Sequence, residues 1–102
     1  MRNLRTLDEV EEEYLREHPD EIDEYVTILF EEFALDNDIG ALLASLRVVS
    51  RVKGVTEVAQ DAGMSRKGLQ KALSEKGNPR FDSMAHIMQA LGYRLTVQKM
   101  TR

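Results

Sequence analysis

Long cationic and amide side chains recur on one face of a short helix expected in the second half of this 102-residue chain. They are the side chains of Arg66, Lys67, Gln70 and Lys71. The row offers hydrogen-bond donors and positive charge without one carboxylate. Side chains of this kind bind base edges in the major groove of DNA and the phosphates beside it.

The small and apolar residues around this row predict two helices joined by a tight turn, a helix-turn-helix over residues 55–74. Ala59 is small where two helix axes would come closest, and Gly63 can take the positive φ that ends a helix abruptly. Ser65 has a side chain preferred at a helix N-cap. The side chains expected to face inward are those of Val58, Ala62, Met64, Leu69 and Ala72. An ordinary helical hairpin is the alternative interpretation.

Charge is distributed unevenly along the chain. Residues 1–50 hold 4 basic and 14 acidic residues, a net charge of −10, whereas residues 51–102 hold 10 and 4, a net charge of +6. A basic surface attracts phosphate and an acidic one repels it. This asymmetry suggests two surfaces with different partners, DNA for the basic half and a cationic protein for the acidic half.

The length fits one small domain, and the absence of cysteine favours a reducing cytoplasm. The N-terminus lacks the apolar run of a signal peptide, and the sequence contains no uncharged apolar stretch of about 18 residues. We therefore expect a cytoplasmic protein without a membrane partner.

Two acidic helices are predicted before the basic half. The first has a thin apolar stripe formed by Leu7, Val10, Tyr14 and Leu15. Pro19 ends it and starts the second, whose stripe consists of Ile22, Tyr25, Val26, Leu29, Phe30 and Phe33. We expect residues 1–36 to form an acidic helical arm and residues 37–102 the remaining domain. The bland alternative for the acidic faces is simple solvation.

The domain after the arm should begin with a helix capped by Asp38 and ended by Gly54. The residues of this helix expected in the core are Ile39, Leu42, Leu43, Leu46 and Val49, with Arg47, Arg51 and Lys53 outside. Asp82 is predicted to cap a last helix that Gly92 ends. The alternating residues 93–100 predict a short β-strand, which would pair with the same strand of a second copy in a homodimer.

The sequence lacks the constellations that catalysis or metal binding would need. His18 and His86 are 68 residues apart and have no serine or cysteine partner at a motif spacing. Asp36 begins a segment like a calcium loop, but Arg47 stands where a bidentate glutamate is required. We expect no enzyme activity, no metal and no cofactor.

The helix-turn-helix resembles that of the phage-repressor-like (Xre/Cro) family in its small residue, the four-residue step to Gly63, an apolar residue and then Ser65. This resemblance implies an all-α, lambda-repressor-like fold. The order of parts over residues 38–100 is similar to that of the antidotes of chromosomal addiction modules. It implies a type II antitoxin that binds a RelE/ParE-superfamily toxin and represses its own operon.

By position, the resemblance places Arg66, Lys67, Gln70 and Lys71 against DNA, and gives Thr56 and Ser65 hydrogen bonds to phosphate. A homodimer would bind a two-fold operator. Two alternatives remain open at this point. One is a stand-alone phage-type repressor without a toxin, and the other is a protein-interaction module whose basic helix contacts an acidic protein.

Overall fold

Six α-helices follow one another between residues 6 and 101, the part of the chain that this computed structural model describes. They are α1 (Leu7–Glu17), α2 (Ile22–Asp36), α3 (Ile39–Lys53), α4 (Val55–Asp61), α5 (Arg66–Ala72) and α6 (Phe81–Leu91). A 3-10 turn at Pro19–Glu21 joins α1 to α2. The prediction of a helical protein is confirmed over these residues.

Side chains at the helix starts explain several of the helix bounds. The Asp38 carboxylate accepts a hydrogen bond from the backbone N–H of Ala41 at 3.1 Å, and Ser65 Oγ accepts one from Gly68 at 2.9 Å. Each bond satisfies a donor that the first helical turn leaves free. Both predicted N-caps are confirmed.

The predicted cap of the last helix is wrong by two residues. The N-cap of α6 is Arg80, and Asp82 lies in the first turn, where its Oδ1 accepts a hydrogen bond from the backbone N–H of Ser83 at 2.9 Å. A carboxylate is also favourable there because it faces the positive end of the helix dipole. Gly92 ends α6 in the left-handed conformation, as predicted.

The core is built around α3, whose Leu43, Leu46 and Val49 are almost completely buried. α1 and α2 pack against one part of α3, and α4 packs against α3, α5 and α6. A single cluster of buried side chains includes Leu15 of α1 and Val26 of α2 together with residues of α3 to α6. The division at residue 36 remains a prediction, but both sides of it contribute to this core.

Some expected positions along α3 differ in the structure. Ile39, predicted to face the core, is 48% exposed because it opens the helix beyond the packed region. Arg47 and Lys53, predicted to point into solvent, bind main-chain oxygens instead. Arg47 donates to the carbonyl oxygen of Leu73, and Lys53 Nζ donates to that of Leu91 at 2.8 Å. These two cations connect α3 to the ends of α5 and α6.

The predicted C-terminal strand is absent from the described residues, where 93–101 form neither helix nor strand. The physical reason is that one extended segment needs a neighbouring backbone to form a ladder, and residues 6–101 contain no second strand. The segment runs along α2. Tyr93 donates a 2.5 Å hydrogen bond to Asp23, Leu95 packs against the core, and Val97 is 99% exposed.

Candidate nucleic-acid interface

The predicted DNA-binding side chains are all exposed on α4, on α5 and at the N-cap of α5. They are those of Thr56, Ser65, Arg66, Lys67, Gln70 and Lys71. The two helices are in contact here, because Arg66 of α5 donates a hydrogen bond to the Thr56 hydroxyl of α4 at 3.3 Å. The Ser65 hydroxyl already accepts the capping bond, so it retains only its own proton for a phosphate.

Burial on the opposite side of the same two helices holds this row outward. Leu69 is 1% exposed between Gly68 and Gln70, and Ala59 in α4 is also 1% exposed. The three predicted core residues Val58, Ala62 and Leu69 are buried, and Met64 and Ala72 pack partly buried against them. Since α5 is only about two turns long, fixing Leu69 fixes the direction of its whole polar face.

We call the six predicted DNA-binding side chains the recognition row. They border a shallow depression that the sequence did not predict. Its lining includes Thr56, Arg66 and Gln70 from the row, and also Arg51 of α3 and Glu12 of α1. An acidic helix therefore lies beside the basic surface rather than away from it. Any phosphate approaching Arg51 would also meet the Glu12 carboxylate.

Ion pairs between α1 and α3 explain how the acidic helix reaches this place. Arg47 lies 3.5 Å from Asp8, and Arg51 lies 3.9 Å from Glu12. Asp8 and Glu12 are four residues apart and therefore share one face of α1. Arg47 and Arg51 have the same spacing and share one face of α3. This matched spacing is the sequence signal that could have revealed the contact. Arg47 also binds Leu73, so it is held inside the fold and not offered to DNA.

Glu12 binds more strongly within its own helix. Arg16 lies 2.8 Å from it and also donates to the backbone oxygen of Arg51 at 3.0 Å. The Arg16 and Arg51 side chains are 51% and 41% exposed, so each ion pair adds little to stability. They do change the surface charge, because the Glu12 carboxylate offsets the positive charges of Arg16 and Arg51 at the edge of the predicted DNA site.

Other chemistry finds little support in the described chain. Residues 6–101 contain no group of three or more His, Cys, Asp or Glu side chains able to hold a metal ion. His18 Nδ1 lies 2.8 Å from the backbone oxygen of Tyr14, and its ring stacks on the Tyr14 ring at 4.1 Å. Over the same residues, no helix is both long and apolar enough to cross a membrane.

Comparison with known proteins supplies a family. Over 77 residues the chain is 35% identical to an uncharacterized protein of Haemophilus influenzae, covering 76% of this chain and 79% of that protein. No solved structure matches the present chain. A family model described as "probable addiction module antidote protein" matches residues 4–99. Because this match spans almost the entire sequence, the chain belongs to the family of probable addiction module antidote proteins.

Proposed function

We propose that this antidote binds the operator of its own operon through α4 and α5 and represses transcription. The observation that carries the proposal is the exposed row of six polar and cationic side chains on these helices, held outward by buried Leu69. An antidote that also represses its operon links its own supply to free toxin. Membership of the antidote family favours this function over that of a stand-alone repressor.

In this proposal α5 lies in the major groove, as the second helix of a helix-turn-helix does. Arg66, Lys67 and Gln70 contact base edges, whereas Lys71 contacts phosphate. Thr56 and Ser65, at the start of each helix, donate to phosphate oxygens. Fluorescence anisotropy with the promoter fragment of the protein's own operon tests this directly. Specific binding should exceed binding to a shuffled fragment by about a thousandfold or more, and equal binding to both fragments would contradict the proposal.

The Glu12 carboxylate should limit DNA affinity, because it offsets Arg16 and Arg51 beside the recognition row. We expect Glu12→Gln to strengthen operator binding by about twofold to fivefold at low salt, with the gain shrinking as salt rises. Glu32→Gln, on an exposed position of α2, removes the same charge elsewhere and is the matched control. Equal affinities for the two variants would show that α1 does not face the DNA.

The unpaired tail suggests how a dimer forms. We propose that residues 94–100 pair with the same segment of a second copy, so that the strand predicted from the sequence exists only in the homodimer. Within the described chain, the backbone of residues 94–101 makes no hydrogen bond to other backbone groups. Val97 is 99% exposed and would gain a cross-strand neighbour. Two recognition helices would then bind half-sites about one helical turn apart.

Truncation after Leu95 tests the proposed dimer interface without removing tail residues that contact the rest of the fold. This variant keeps the Tyr93 bond to Asp23 and the packing of Leu95, and it removes the remaining tail. Sedimentation at micromolar concentration should show a dimer for the full chain and a monomer for the truncated one. A truncated protein that still sediments as a dimer would place the interface elsewhere.

The toxin partner follows from the family and from charge. An antidote binds a toxin, and we propose a RelE/ParE-superfamily toxin, in line with the resemblance of residues 38–100. A toxin that cleaves RNA must be cationic to hold its substrate, and residues 1–50 carry a net charge of −10. Charge of this kind raises the association rate and its salt dependence more than the affinity. Apolar contacts must therefore supply most of the binding free energy.

A further inference from the structure

α1 and α2 leave a row of apolar side chains in water on the side of these helices that the tail does not cover. Val10 is 48% exposed, Tyr14 47% and Ile28 43%. These three side chains, with Leu15 and Tyr25, line a groove of about 410 Å³ between the two helices, which we call the α1–α2 groove. The buried Leu15 therefore joins the core to the floor of this groove, whereas Val10 and Tyr14 line it with exposed side chains.

The edges of the α1–α2 groove are acidic. The remaining lining residues are Glu11, Glu21 and Glu24, and neither lysine nor arginine lines it within the described chain. The Tyr14 hydroxyl donates to both Glu21 oxygens, at 2.9 and 3.0 Å, which fixes that carboxylate at the groove edge. Burial and the nearby Asp8 raise the pKa of Glu11. A cation placed at this edge would favour its ionised form.

Two candidate occupants of the α1–α2 groove, the C-terminal tail and a second copy of this chain, do not fit it. The tail runs along a different face of α2, beside Val26 and Phe30, and Tyr93 is bound to Asp23 there. A second copy inserting its own α1 or α2 would bring carboxylates against Glu11, Glu21 and Glu24, and like charges in a contact oppose binding. The groove also lies between two helices, so it offers no strand edge to an extended peptide.

We propose that the α1–α2 groove holds a cationic amphipathic helix of the toxin, with apolar side chains on Val10, Tyr14 and Ile28 and basic ones facing the three glutamates. This inference rests on the antidote function proposed above and names the surface that performs it. Helices bind helical grooves through apolar residues spaced three and four apart, and flanking charges select the partner. Both requirements match the floor and edges of this groove.

A synthetic peptide tests the groove without the toxin. The probe is a fluorescent amphipathic helix of about 18 residues, or five turns, made of leucine and lysine, and the control replaces each lysine with glutamate. The full-length protein should bind the lysine peptide with micromolar affinity and the glutamate peptide at least about tenfold more weakly. Absence of binding to the lysine peptide, or equal binding of both peptides, would overturn the proposal.

Substitutions at exposed positions then locate the binding. The groove variant Val10→Lys/Ile28→Lys should lose at least about tenfold in affinity for the lysine peptide, because it removes two anchors and adds charges of the peptide's own sign. The control variant Leu35→Lys/Ile39→Lys changes two exposed apolar residues outside the groove by the same charge. It should lose far less. Equal losses in the two variants would overturn the assignment to the groove. All four positions are exposed, and unfolding curves check that both variants fold.

The contribution of the edge is measured separately. Glu11→Gln/Glu24→Gln should weaken peptide binding and reduce its salt dependence more than Glu31→Gln/Glu32→Gln, which removes the same charge outside the groove. Indistinguishable salt dependence in the two variants would contradict the role of the edge.

Rescue of growth from the toxin of the same operon separates this inference from the proposed function. If the parent chain fails to rescue, the antidote role itself fails. If the parent and the groove variant rescue equally well, the antidote role stands and the groove is not the toxin site. The expected result is rescue by the parent and by Leu35→Lys/Ile39→Lys, and loss of rescue by Val10→Lys/Ile28→Lys.

Discussion

Replacing both Arg66 and Lys67 with alanine is expected to weaken specific operator binding by about thirtyfold or more. Each side chain that contacts a base edge contributes about 1–3 kcal/mol of discrimination, so the pair should cost roughly 2–6 kcal/mol if the effects are additive. Neither side chain supports the core, since both are exposed on α5 while Leu69 is buried. Folding should therefore be unchanged.

Two comparisons sharpen this result. Lys76→Ala/Arg80→Ala removes the same charge from exposed positions outside both the row and the tail, so only a modest, sequence-independent loss is expected. Lys71→Ala should lower affinity for operator and shuffled DNA alike, because a phosphate contact carries no sequence information. The assignment of α5 to the major groove would be wrong if the Arg66→Ala/Lys67→Ala protein bound the operator as tightly as the parent.

Leu15→Ala is expected to lower the free energy of unfolding by about 2–4 kcal/mol, a large share of the stability of a small domain. Leu15 is 2% exposed on α1 and belongs to the same buried cluster as Leu46 of α3. Truncating it leaves a cavity between the acidic helix and the rest of the core. Chemical denaturation followed by circular dichroism measures the change.

The matched control lies on the same helix. Leu7 is 74% exposed, so Leu7→Ala should change the free energy of unfolding by less than about 0.5 kcal/mol. An unchanged stability for Leu15→Ala would mean that α1 is an arm that does not dock on α3. A loss confined to a separate, earlier unfolding transition would support the division at residue 36.

Local features of the sequence predicted much of this fold. The caps at Asp38 and Ser65 and the glycine ending α6 depend on residues within three or four positions of one another. The buried residues of α4 and α5 follow from helical spacing in the same way. Asn37, which ends α2 in the left-handed conformation, is a further local signal, since asparagine tolerates this conformation better than most residues.

The features that the sequence did not predict depend on distant residues. The bond of Arg47 to Leu73 joins positions 26 apart, and the contact of Glu12 with Arg51 joins α1 to α3. Periodicity within one helix identifies a polar face but cannot say which other helix covers it. The tail shows the same limit, since alternation in residues 93–100 predicts a strand but does not identify the backbone with which it would pair.

Residue type and spacing predict the six candidate DNA-binding residues, and all six are exposed in the structure. They do not predict the neighbouring Glu12, because no local pattern shows that α1 docks on α3 beside α4 and α5. The α1–α2 groove likewise depends on how two helices pack together. Tyr14 and Leu15 both line this groove, yet Leu15 is buried in the core and Tyr14 is half-exposed.

We propose that one antidote uses separate surfaces for toxin and DNA, and a rescue assay with the Arg66→Ala/Lys67→Ala variant tests this separation. Growth is measured while the toxin of the same operon is expressed, with a promoter reporter in the same cells. We expect full rescue from the toxin together with loss of repression. Loss of rescue by a folded variant would contradict it, because the recognition helix would then also be the toxin site.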